Sequence, residues 1–230
     1  MITKFLPSFR FAILAFAGVC FSLSVAGHAS ANNTPATGTT VTDLKQKMGK
    51  NRFWMTMRVL PPETSIADAR ANGVDGPNRT AKRCLLAYIE KPRFRKKIKL
   101  AFILSAEKDK FLVQSGSAEW NLPADAKGSL DLHAGHWTHH FNMKQSKFDE
   151  ITATMPEEEM GSLLNTLSRN NEGTLDYSSG KFVTIPLKDI APELDDFKSC
   201  VQANHFGNVG EPTSAPAKGK RHLIRMDAPF

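Results

Sequence analysis

From residue 52 onward the chain alternates apolar and polar positions, first with a period of two and later with the longer period of a helix. Residues 52–60, RFWMTMRVL, place Phe53, Met55, Met57 and Val59 on one face of an extended segment. Trp54, Thr56, Arg58 and Leu60 fall on the other. Pro61 and Pro62 end that strand. The Gly-, Pro-, Asn- and Asp-rich stretch 61–82 is then a long connection, in which 65–71 is expected to form a short helix.

Residues 84–90, 97–104 and 110–115 read as the next three strands, with a hairpin turn over 105–110. Further short strands are expected at 129–132, 136–143 and 150–154. Short strands separated by turn residues predict an antiparallel meander.

The period changes at Pro156, where the missing N–H costs nothing at a helix start and Glu157, Glu158 and Glu159 suit the positive end of the dipole. Met160, Leu163, Leu164 and Leu167 then form a stripe that should lie on the sheet. Residues 174–177 and 181–187 make a hairpin across Ser178-Ser179-Gly180. A last helix over 189–204 carries Ile190, Leu194, Phe197 and Val201 on one face, and Cys200 lies beside that stripe. The expected fold is mainly β, of the α+β kind. It is a single antiparallel β sandwich or half-open barrel with two packed amphipathic helices and one disulfide.

The termini divide the chain further. Lys4 and Arg10 precede the 15-residue apolar run FAILAFAGVCFSLSV, and small residues Ala29 and Ala31 flank Ser30. That order is a secretory signal peptide over 1–31, cleaved after Ala31; the run falls short of the roughly 20 residues that span a bilayer. Small polar residues make 32–50 a flexible linker, with a short helical turn expected at 43–50, and 51–204 the β-rich domain. Pro, Gly and Lys breaks make 205–230 a flexible basic tail. No transmembrane segment is expected once the leader is removed.

Export changes the meaning of the cysteines. Of three, Cys20 leaves with the leader, and Cys84 and Cys200 remain as an even pair in an oxidising space, which reads as a disulfide rather than two free thiols. It also changes the meaning of the charge. The 30 basic residues fall to 28 without Lys4 and Arg10, against 23 acidic, for a net charge of about +5. In the periplasm or outside the cell this favours an anionic membrane surface or an acidic envelope or host protein, and argues against nucleic acid.

Three kinds of feature bear on the chemistry. Read as a strand, the run KPRFRKKIK at 91–99 places Arg93, Arg95, Lys97 and Lys99 on one face. That strip suits anionic lipid or an acidic partner, and equally suits a solvated edge strand charged against aggregation. The second set is His133, His136, His139 and His140 with Asp131 nearby, ligand types for zinc or copper. On a strand His136 and His140 stand about 13 Å apart, too far for one ion. A two-residue turn at Ala134-Gly135 would instead set His133 against His136 with Asp131 one pair further, and Leu132 against Trp137. The resulting metal set, His133, His136 and His140, stands against a plain polar hairpin surface with no cofactor. As the third, catalytic signatures G-x-S-x-G, H-E-x-x-H and C-x-x-C are all missing, so the reading leans away from an enzyme.

The layout resembles the invasion-associated locus B family of exported alphaproteobacterial proteins. The resemblance rests on the leader, Trp54 in an early strand, LPPET at 60–64, the Cys84 strand, and VTIPLKDIAPELDDF at 183–197. This chain departs from it at Met57 and Arg58, where the family usually has a cysteine, and at Ile190 and Ala191, where a glycine is common. The resemblance implies a small, β-rich, non-enzymatic envelope or released protein, with some members implicated in host-cell entry. It carries over no catalytic residue.

Overall fold

A computed structural model of the chain describes residues 38–47, 51–61, 81–92, 97–212 and 221–225, with the backbone path alone in 38–47 and 221–225. All lie in the unit Thr34–Phe230. The expected leader (1–31) and the short helix at 65–71 lie outside the described residues.

The strands are β1 (Gly38–Lys47), β2 (Arg52–Val59), β3 (Arg83–Glu90), β4 (Leu100–Glu107), β5 (Lys110–Gly116), β6 (Lys127–Ala134), β7 (Trp137–Lys147), β8 (Glu150–Met155), β9 (Glu172–Tyr177), β10 (Lys181–Pro186) and β11 (Arg221–Arg225). Among the described residues two helices interrupt them, α1 (Glu157–Arg169) between β8 and β9, and α2 (Ala191–Ala203) after β10. One sheet contains every strand, in the order β10-β9-β6-β7-β8-β5-β4-β3-β2-β1-β11, and all neighbours are antiparallel. The expected meander holds from β1 to β5 and from β6 to β8. Between them the chain skips two places, so that β8 rather than β6 pairs with β5.

The sheet curls into a half-barrel. Two bonds join parts of it that are distant in strand order. The Trp54 indole N–H on β2 donates to the Pro186 carbonyl on β10 at 2.7 Å. The Ser115 hydroxyl on β5 lies 2.7 Å from the Tyr177 hydroxyl on β9. Burial pushes the Tyr177 phenol up to about 12, with the Ser115 bond acting weakly the other way.

The concave side holds the larger core. Trp54, Leu86, Tyr88, Phe102, Leu104, Val113, Leu132 and Phe141 from the sheet meet Met160, Leu163, Leu164 and Leu167 of α1 and Leu194, Phe197 and Val201 of α2. The α1 stripe is the one its periodicity predicts, and its three first-turn glutamates sit at the dipole end that favours them. A second, smaller apolar cluster lies on the opposite face of β2–β4: Met57, Leu85, Ala87, Ile89, Ala101 and Ile103, with Phe53, Met55 and Val59 beside it. This is why β3 and β4 read as nearly continuous apolar runs.

Two boundary expectations are corrected. The segment 32–50, read as linker with a helical turn at 43–50, contains β1, which pairs with both β2 and β11. Thr39, Thr40, Val41 and Thr42 are β-branched, and strand propensity there outweighs low hydrophobicity. The segment 205–230, read as a tail, buries Phe206 and Val209 in the core and returns to the sheet as β11. The Asn208 backbone N–H donates to Glu157 Oε1 at 2.6 Å, holding this stretch against the start of α1.

Helix α2 is held to the concave face by polar and covalent links. The Thr56 hydroxyl on β2 donates to Asp196 Oδ2 at 2.7 Å, and both residues are buried. Burial raises the Asp196 carboxyl pKa, against opposing pulls from the Thr56 bond and the Arg58 charge. The folded state therefore holds the Asp196 proton more tightly than the unfolded chain does. Stability from this group should rise as pH falls through the folded pKa, and the gain is complete below the unfolded value. Asp196→Asn keeps an acceptor for Thr56 and removes the titration. The urea midpoints of the wild type and the Asp196→Asn variant should converge or cross between pH 7 and pH 4; parallel curves would contradict this assignment.

Candidate functional site

The disulfide is the best-defined chemical feature. Cys84 on β3 and Cys200 on α2 are bonded with Cα atoms 6.0 Å apart across 116 residues of sequence. Neither sulfur side is open to solvent: Cys84 is 0% and Cys200 2% exposed. Asn204 closes the end of α2 beside it, donating to the Cys200 carbonyl at 2.8 Å while its Oδ1 accepts the Ala81 N–H. Sequence placed Cys200 one step from the apolar stripe of its helix. The structure turns it onto the inner face of β3.

The histidines do not gather. The β6–β7 loop is Gly135-His136, one residue later than expected, because Ala134 pairs with Trp137. Gly135 takes φ 60°, as primed two-residue turns require at their first position. That single step moves every cross-strand partner on the hairpin by two residues and leaves each side chain on the same face. His136 sits in the loop. His133 opposes Thr138 and bonds its hydroxyl at 2.9 Å. His140 opposes Asp131 at 2.6 Å. Leu132 faces His139 rather than Trp137. Among the described residues no group of three His, Cys, Asp or Glu side chains could hold a metal ion, so the zinc or copper set His133, His136 and His140 is not assembled.

His139 turns the other way. Its ring stacks on Trp137 at 5.5 Å and meets Phe141 at 4.4 Å. Its Nε2 reaches Glu159 Oε2 on α1 at 3.1 Å, which ties the first turn of that helix to β7. Alternation along 137–141 was the available signal, once the loop is set one residue later.

The described parts of the basic run, 91–92 and 97–99, are not strand: β3 ends at Glu90 and β4 begins at Leu100. Glu90 pairs with Leu100, so residues 91–99 form the connection between β3 and β4. Pro92, which has no N–H for a ladder, stands near its start. Arg93 and Arg95 lie outside the described residues. Lys97 is exposed, and Lys99 pairs with Glu90 at 2.9 Å.

A cavity of about 250 Å³ that sequence did not indicate opens on the convex side, where β4, β5 and β8 meet. Ala101 and Ile103 of β4 and Ile98 line its apolar part; Gln114 of β5 and Glu150 of β8 line its polar end. Among the described residues no helix is long and apolar enough to cross a membrane.

Comparison with known proteins returned no match: no family model, curated protein or solved structure is significantly similar to the chain.

Proposed function

We propose that this chain is an exported, non-enzymatic binding protein of the cell envelope, working in the periplasm or outside the cell. The observation that carries the reading is the buried Cys84–Cys200 bond, a linkage that persists in oxidising compartments and is rare elsewhere. The leader-like first 31 residues support it independently. The contact surface is the basic segment 91–99, and its partner is an anionic membrane surface or an acidic envelope or host protein. The resemblance to the invasion-associated locus B family extends the reading to contact with a host cell.

Two measurements test this. Osmotic-shock fractionation should release the processed protein from the periplasm or find it in the medium; retention with the cytoplasmic fraction overturns the compartment. Co-sedimentation with vesicles containing phosphatidylglycerol tests the surface. Each basic side chain near such a membrane contributes about 1 kcal/mol, so replacing Arg93, Arg95, Lys97 and Lys99 by Ala should weaken binding at least about ten-fold. The binding should also fall with added salt. Equal binding by the quadruple variant removes the segment from the interface.

A further inference from the structure

The convex cavity has a one-sided chemistry. Gln114 and Glu150 are 9% and 7% exposed, so both polar groups are more than nine-tenths buried at its end. Gln114 Nε2 donates to Glu150 Oε1 at 3.0 Å, and the Ser146 hydroxyl donates to the same oxygen at 2.6 Å. A carboxylate only accepts, so the Gln114 amide must turn its NH2 toward Glu150, which leaves its carbonyl oxygen for a donor from elsewhere. Glu150 Oε2 has one cation, Lys147, at 3.9 Å, the long limit of an ion pair, and Lys147 does not line the cavity.

Asp149 stands at the rim. Among the described residues the lining therefore offers the Glu150 carboxylate, the Gln114 amide carbonyl and Asp149 but no Lys, Arg or His, in a chain whose net charge is +7. The apolar side is Ile98 with Ala101 and Ile103 of β4, where Ile103 pairs directly with Gln114. Gly116 pairs directly with Glu150, and a Cβ there would stand 3.0 Å from the Asp149 carbonyl oxygen. The glycine keeps the polar end open.

We propose that this cavity binds a small amphipathic amine. Its ammonium group donates to Glu150 and the Gln114 carbonyl, and its apolar body lies over Ile98, Ala101 and Ile103. Among the described lining residues an anion would face Glu150 with no cation beside it, Lys147 lying outside the lining, and a purely apolar guest would leave a buried acceptor unpaired. The volume falls just below the range for drug-sized ligands, which sets the ligand class as small. The proposal gives the binding reading above a ligand class and rests on it only in that the chain binds rather than transforms. It does not depend on compartment or on the basic segment.

The test is a two-dimensional NMR titration of the ¹⁵N-labelled full chain, disulfide intact, with benzylamine, benzyl alcohol and benzoate as probes. Benzylamine should shift the amides of Ile103, Gln114 and Glu150 saturably, half-saturating near about 1 mM as befits so small a ligand. Benzyl alcohol and benzoate should bind at least about ten-fold more weakly, and Glu150→Gln should cost benzylamine a similar factor through the lost charge-assisted bond. Ala118→Leu, at the rim, should weaken benzylamine without altering the acidic end. Equal binding of alcohol and amine, no saturable shift, or undiminished benzylamine binding by the Glu150→Gln variant each overturns the proposal. Should the Glu150→Gln variant not fold, the comparison of the three probes on the wild-type protein decides alone. A protein that takes benzylamine but fails vesicle binding would separate this site from the basic-segment reading.

Discussion

Replacing Cys84 and Cys200 together by alanine should lower the unfolding free energy by about 4–5 kcal/mol, the chain-entropy value for a loop of 116 residues. The bond reaches from the third strand to the last helix, so it restrains most of the described domain in the unfolded state. Typical domains are stable by only about 5–15 kcal/mol, so the loss should take a large share of the total. Urea unfolding of the double variant and of the reduced wild type should give matching midpoints, both well below the oxidised protein. Agreement between them separates the lost covalent link from any packing defect the alanines introduce. Oxidised and reduced proteins that unfold at the same urea concentration would show that the bond contributes nothing.

Trp54→Ala should cost about 3–5 kcal/mol, the range for deleting a fully buried tryptophan. Trp54 is 0% exposed and its ring lies 5.5 Å from Tyr88. Its N–H donates to Pro186 on the far end of the strand order, so it does more than fill space. It is one of two bonds that draw β10 and β9 across to the strands they do not neighbour. Trp54→Phe keeps most of the volume and leaves the Pro186 carbonyl without that donor, so a smaller loss of about 1–3 kcal/mol is expected. Denaturant midpoints and near-ultraviolet circular dichroism check both. A Trp54→Ala protein within about 1 kcal/mol of wild type would show that closure of the half-barrel does not depend on this residue.

Much of this was legible from local pattern. Alternation in RFWMTMRVL correctly separated the two faces of β2, because Trp54 packs in the larger core while Met57, with the half-buried Phe53, Met55 and Val59, packs in the smaller one. The Met160, Leu163, Leu164, Leu167 stripe gave the buried side of α1. Ser178-Ser179-Gly180 gave the β9–β10 turn, with Gly180 at φ 77°.

What local pattern could not reach depends on distant pairing. β1 carries too few large apolar residues to announce itself, and it forms because β2 and β11 flank it. The β6–β7 register turned on one residue: placing the loop at Ala134-Gly135 predicted a ligand set, and placing it at Gly135-His136 dissolves it. The convex cavity needs β5 beside β8, a pairing of Gln114 with Thr152 and Gly116 with Glu150 that follows from the skipped strands. No spacing within either segment reports it.

Export and a closed Cys84–Cys200 bond are tested together by intact-mass measurement of the unreduced protein. The protein is taken from cells quenched with iodoacetamide, without added reductant. The expected result is a chain beginning at Asn32 with no alkylated cysteine, and two alkylations only after reduction under denaturing conditions. An unprocessed chain would contradict export, and iodoacetamide on Cys84 and Cys200 before reduction would contradict the closed bond and with it the oxidising compartment.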